Sequence, residues 1–211
     1  MMLPTTRKYL IIEMVVLFVV LPTSLLIPLI PLWVKIIPVL IGFLYVLGAI
    51  YLHSGFKIQK PVQNIQWFWR VFLLRLIIIG VLGYLVVSFL YPENVFRIIT
   101  EDILLWLLIF FVYSVGSVVP QEIIYRNFFF FRYQKLFSSK NFLIVTNAFF
   151  FSISHMFLQS WLVLVITFVG GLLFAITYSK TKSTFLVSLE HATYGLWLFT
   201  VGIGSVLAFP S

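Results

Sequence analysis

Apolar runs long enough to cross a bilayer recur along almost the whole of this 211-residue chain, and they constrain its fold more than any motif does. A spanning helix needs roughly 20 mainly apolar residues, and about seven stretches qualify: about 9–31, 34–52, 69–91, 102–120, 141–158, 160–179 and 184–208. An eighth element, about 121–136, is shorter and rich in aromatics; it either continues the fourth span or lies at the interface. Pro22, Pro28 and Pro31 are expected to kink or end the first stretch. The expected fold is all-α: a polytopic transmembrane helix bundle of about 7–8 spans. It forms a single membrane domain, with N-terminal transmembrane helices over 1–100 and a helical core bearing the chemistry over 101–211.

Composition agrees. Hydrophobic residues make up 62% of the chain and charged residues only 9%, whereas a soluble domain is about a quarter charged. With no cysteine, disulfides, thiolate catalysis and cysteine-based metal sites are excluded. The net charge of +8 would suggest nucleic acid in a soluble protein, but here it follows a membrane pattern. Arg7, Lys8, Lys57, Lys60, Arg70, Arg132, Lys135, Lys140, Lys180 and Lys182 fall on one side if the spans alternate. Lys35 and Arg97 fall on the other side, offset by Glu93, Glu101 and Asp102. This asymmetry places the N-terminus in the cytoplasm of a cell (inner) membrane and the C-terminus outside, with basic side chains meeting anionic lipid head groups. No nucleic-acid partner is expected. The start resembles a signal peptide without a convincing cleavage site, so an uncleaved first span is expected. Trp67, Trp69, Tyr91, Trp106, Trp161 and Trp197 lie near span ends, where interfacial anchoring is the plain expectation. Gly170-Gly171 suits close helix packing.

With six acids and three histidines in the chain, each can be placed. Glu93, Glu101 and Asp102 fall in loops or at span ends; Glu13 is near the start of the first span and His53 at the end of the second. Glu122, His155, Glu190 and His191 remain, within or beside the last spans, where an ionisable group normally faces a cavity or a partner.

The first segment reads Pro120-Gln121-Glu122-Ile123-Ile124-Tyr125-Arg126. Proline suits the first turn of a helix, and Glu122 and Arg126 then share a face. This is either a structural ion pair or a carboxylate tuned by a guanidinium to act as a general base. The second, Phe151-Ser152-Ile153-Ser154-His155, puts Phe151 over the turn before the imidazole. A hydrogen-bonded core histidine and a catalyst are both open there, although burying an imidazole in a span requires partners. In the third, Leu189-Glu190-His191-Ala192-Thr193-Tyr194-Gly195, neighbouring titratable residues point about 100° apart, so only one faces a given point. Glu190 is expected to orient a histidine or to pair with Arg75.

In this order, over roughly 105–200, the three segments resemble the CPBP family of intramembrane proteases, which includes CAAX prenyl proteases and bacteriocin-processing (Abi-like) enzymes. The family's first motif is two glutamates, three residues and an arginine, matched by Gln121-Glu122 and Arg126. Its second is phenylalanine, three residues and histidine, matched by Phe151 and His155. Its third is histidine, three residues and asparagine; His191 matches, but Gly195 stands where asparagine is expected. In the family the first glutamate of the pair is taken as the water-activating base, and Gln121 cannot act so. The asparagine is a donor expected near the oxyanion, for which a backbone amide, His191 or the Tyr194 hydroxyl could substitute.

The resemblance implies hydrolysis of a peptide bond in a membrane-associated peptide or protein. Glu122 and His155 would polarise the water, His191 would stabilise the oxyanion or help hold the water, Arg126 would fix Glu122 and Glu190 would orient a neighbouring histidine. A glutamate mechanism requires no cofactor; in a metalloprotease variant, zinc would be held by His155, His191 and Glu122. Two other classes stay open: a non-catalytic binding or immunity protein that kept the fold, favoured by Gln121 and Gly195, and a small proton-coupled transporter.

Overall fold

The computed structural model describes residues 4–27, 31–52 and 62–206, among which the regular structure is helical throughout, without a β-strand. His53, Lys57, Lys60, Pro28 and the end of the seventh apolar stretch lie outside these residues. The helices are α1 (7–24), α2 (Leu32–Leu52), α3 (Ile65–Leu90), α4 (Arg97–Glu101), α5 (Ile103–Leu136), α6 (Lys140–Ile153), α7 (Trp161–Thr181), α8 (Thr184–Val201) and α9 (Ile203–Val206).

Four helical stretches are long and apolar enough to cross a membrane: Ile65–Leu90, Ile103–Leu136, Lys140–Leu158 and Trp161–Thr181. Their outward faces carry side chains such as Ile77, Leu104 and Phe111, each more than 60% exposed, as lipid contact requires. The chain is a membrane protein. The expected 7–8 spans hold only approximately, for physical reasons. The first stretch stops at Ser24, two residues past Pro22. The fourth and eighth stretches are one continuous helix, α5. Helix α8 buries Ser188, Glu190, His191 and Thr200.

Pro120 therefore does not start a helix; α5 runs through it. Proline removes one backbone donor and crowds the preceding turn. The wider π turn Val112–Val118 lies immediately upstream and provides the room. The π turn Val16–Val20 stands in the same relation to Pro22 in α1. Helix starts follow ordinary capping chemistry: the side chains of Asp102, Ser139 and Ser183 accept from the amides of Leu105, Phe142 and Leu186.

The chain folds as two compact units. The first combines Met1–Lys60 with Ile123–Ile176. Its core is aromatic: Phe18, 1% exposed, is met edge-on by Tyr125, Phe129 and Tyr133 at centroid distances of 5.2, 5.1 and 5.9 Å. Beside it, Arg132 Nε donates to Glu13 Oε2 at 2.9 Å, and Tyr45 donates to the same carboxylate. Arg132 is thus a buried structural residue, not one of the loop charges that orient the chain. Gly171 meets α6 closely: a Cβ there would lie 3.1 Å from the Ala148 Cα, in keeping with the packing role expected of the glycine pair.

The second unit combines Pro61–Glu122 with Thr177–Ser211, and within it α8 packs along α3. The Trp197 indole donates to the Gly80 carbonyl at 3.1 Å, the Trp106 indole to Thr200 Oγ1 at 2.9 Å, and the Tyr194 hydroxyl to the Phe72 carbonyl at 3.1 Å. Trp106 and Trp197 tie helices together, because an indole N–H in apolar surroundings takes a protein acceptor. Trp69 and Trp161, 45% and 76% exposed, remain on the surface. Helix α8 ends at Gly202, whose φ of +105° is the left-handed C-cap conformation glycine favours.

Candidate active site

In the second unit, α5 and α8 bring together two of the singled-out residues from opposite ends of the matched segments. Glu122 is fully buried, and its Oε1 lies 2.8 Å from Nδ1 of His191. A carboxylate can only accept, so Nδ1 carries the shared hydrogen and, in the neutral ring, Nε2 carries the lone pair. This is the arrangement in which a buried acid fixes the tautomer and ring plane of a histidine base and stabilises its protonated form.

The neighbouring acid, Glu190, points elsewhere, as the helical offset requires. Its Oε1 accepts from Arg75 NH1 of α3 at 2.7 Å, and the same guanidinium nitrogen donates to Thr177 Oγ1 at 2.9 Å. Of the two partners the sequence left open, Arg75 is the one found. Gln121 precedes Glu122 by one residue. Its amide nitrogen donates to Ser117 Oγ at 2.7 Å, one helical turn earlier, while its carbonyl oxygen is buried and meets no donor among the described residues.

A residue the sequence did not single out borders the pair. The Tyr113 ring stands edge-on to the His191 imidazole, with centroids 6.0 Å apart and planes at 86°. Its only sequence signal was indirect: the glycine at 195, which admits a bulky neighbour.

The first unit holds the other two motif residues. Helix α6 ends at Ile153, and His155 sits just beyond it. Its Nδ1 lies 2.8 Å from the Phe151 carbonyl oxygen, which makes that nitrogen the protonated one, and the two rings are 4.8 Å apart. Phe151 thus lies over the turn before His155, as the spacing predicts. Arg126, fully buried, donates to Asn147 and has its guanidinium 4.7 Å from the Phe151 ring centre and 5.9 Å from that of Phe174. Asn147 donates in turn to the Tyr125 carbonyl at 2.6 Å. An asparagine within an apolar helix is the signal from which such a role could be read.

Among the described residues, no three His, Asp or Glu side chains are grouped so as to hold a metal ion.

Neither a curated protein nor a solved structure matches the chain. A family model does, over the stretch that carries all three motifs, and it supports a CAAX-type intramembrane endopeptidase in general terms. Residues 103–197 match the family described as type II CAAX prenyl endopeptidase Rce1-like.

Proposed function

We propose that the protein is an intramembrane endopeptidase in which the Glu122–His191 pair activates the attacking water. The observation that carries this reading is the 2.8 Å hydrogen bond between a fully buried carboxylate and an imidazole, inside the matched region of the chain. Nε2 of His191 takes a proton from water as the oxygen attacks the scissile carbonyl. Glu122 stabilises the imidazolium so formed, and the same proton passes to the departing amine. A low-dielectric surrounding strengthens each of these interactions. His155 is assigned a share in polarising the water or carbonyl on the strength of its motif. Arg126, Glu190 and Gln121 are positioning residues. Arg126 anchors the helical segment after Glu122 through Asn147, and Glu190 fixes α8 to α3 through Arg75.

The substrate class is a membrane-associated peptide or protein, and the family's name makes a prenylated C-terminal peptide the first one to test. The N-terminus is assigned to the cytoplasm of the cell membrane. In this reading the water is activated without a metal: thorough chelation should leave cleavage intact, and loss restored specifically by zinc would move the assignment to a metalloprotease. The decisive experiment is cleavage of a farnesylated CAAX-type peptide in proteoliposomes by the wild type and by Glu122→Gln, His155→Ala and His191→Ala. Undiminished turnover in all three would end the proposal.

One observation favours a second reading. Gln121, at the position of the family's first glutamate, cannot take a proton. A protein that binds such peptides without cutting them would hold the farnesylated peptide and release it intact.

A further inference from the structure

Gly195 lies in the middle of α8, one turn beyond His191, where a glycine costs a helix about 1 kcal/mol relative to alanine. Its backbone does not call for glycine, since Gly202 is the only glycine at positive φ among the described residues. Space does. A Cβ built at 195 would lie 2.0 Å from the Tyr113 hydroxyl oxygen, 2.6 Å from its Cζ and 2.8 Å from Cε1. The tip of the phenol fills the volume in which any side chain at 195 would begin. The ring is held there edge-on to His191 and, on another side, edge-on to Phe199 at 5.3 Å. Tyr113 belongs to the π turn Val112–Val118, where the local widening changes the direction of side chains relative to a regular helix. No hydrogen bond engages its hydroxyl among the described residues.

The resemblance implies a side-chain amide at position 195; here that volume, beside the same imidazole, holds an O–H arriving from α5. We infer that Tyr113 is a catalytic residue: its hydroxyl donates to the oxyanion that forms as water adds to the scissile carbonyl. In that step the water oxygen bonds to carbon, the carbonyl π pair moves onto oxygen, and His191 takes the water's proton. On collapse the carbonyl re-forms, the C–N bond breaks and the amine leaves with that proton. Tyr113 donates a hydrogen bond throughout and transfers nothing. Glycine at 195 is the condition for this placement.

The inference rests on the peptidase reading, and the test separates the two. The full chain in proteoliposomes is assayed on a farnesylated CAAX-type peptide as wild type, Glu122→Gln, Tyr113→Phe and the exchange Tyr113→Ala/Gly195→Asn. Tyr113→Phe keeps the ring and removes only the donor. It should lower kcat by roughly 100-fold with KM within about twofold, as loss of an oxyanion donor does. The exchange should recover at least about tenfold of that loss by returning an amide to the vacated space. Wild-type kcat in Tyr113→Phe, with Glu122→Gln inactive, would overturn the tyrosine assignment and leave the peptidase standing. If the wild type does not cleave, or Glu122→Gln cleaves equally well, both fall together. An exchange variant that fails to fold leaves the Tyr113→Phe split as the deciding measurement.

Discussion

Glu122 and His191 share a hydrogen 2.8 Å from oxygen to nitrogen, although 69 residues separate them along the chain. Both side chains are removed from solvent, so the pair can survive only if each satisfies the other. Acid and base acting as one unit should give grossly non-additive losses. Glu122→Gln and His191→Ala should each lower kcat by about 100-fold to 10,000-fold, and the double variant should be little worse than the poorer single. Losses that multiply would mean that the two groups act independently.

The same helix carries a second buried pair with a different purpose. Arg75 and Glu190 are 2.7 Å apart, with side chains 15% and 1% exposed. Removing the cation alone strands a carboxylate in an apolar interior. Arg75→Met should cost about 3–5 kcal/mol of stability, read from denaturation in detergent, whereas Arg75→Met/Glu190→Leu should recover most of it. Recovery of stability together with near-normal KM would assign the pair to scaffolding. A KM that stays raised in the stable double variant would bring Glu190 closer to the substrate.

How far the sequence could lead is clear from single residues. Ionisable groups in apolar runs are costly and hence rare, so Glu122, His155, Glu190 and His191 stood out. The structure joins Glu122 to His191 and Glu190 to Arg75. Tyr113 could not stand out, because one tyrosine among 10, in a chain with 24 phenylalanines, carries no signal of its own. Only the missing side chain at 195 hinted at it. Hydropathy identified the membrane class but gave the span count only approximately, because it is blind to the helix stop after Pro22 and to continuity through Pro120. A cation between apolar runs looks like a loop charge, and Arg132 instead meets an acid 119 residues away.

That contact gives a stability prediction for the first unit. Glu13 accepts from Arg132 and Tyr45 and is 7% exposed. Glu13→Ala leaves the guanidinium buried with only the Pro4 carbonyl as a remaining described acceptor. A loss of about 3–5 kcal/mol is expected, with Glu13→Gln retaining part of it through its amide oxygen. Equal stability of Glu13→Ala and wild type in a detergent melt would show that water reaches the pair and carries the charge.

The two glycines of α7 should respond in opposite directions to the same change. At Gly170 a new Cβ meets nothing closer than the Phe174 ring edge, at 3.4 Å, and that ring can shift. Gly170→Ala should be neutral or stabilising by up to about 1 kcal/mol, because alanine orders a helix at less entropic cost. At Gly171 the Cβ would stand 3.1 Å from the Ala148 Cα and 3.2 Å from Phe151 Cδ1. A backbone atom cannot step aside, so α6 and α7 must part, at a cost of about 1–3 kcal/mol. Phe151 is also the ring against His155 and beneath the Arg126 guanidinium, and its displacement should reach both. Gly171→Ala is therefore expected to lower the melting temperature and to reduce kcat as well, while Gly170→Ala changes neither for the worse. If the two variants behave alike, close backbone approach at Gly171 does not set the position of the histidine turn.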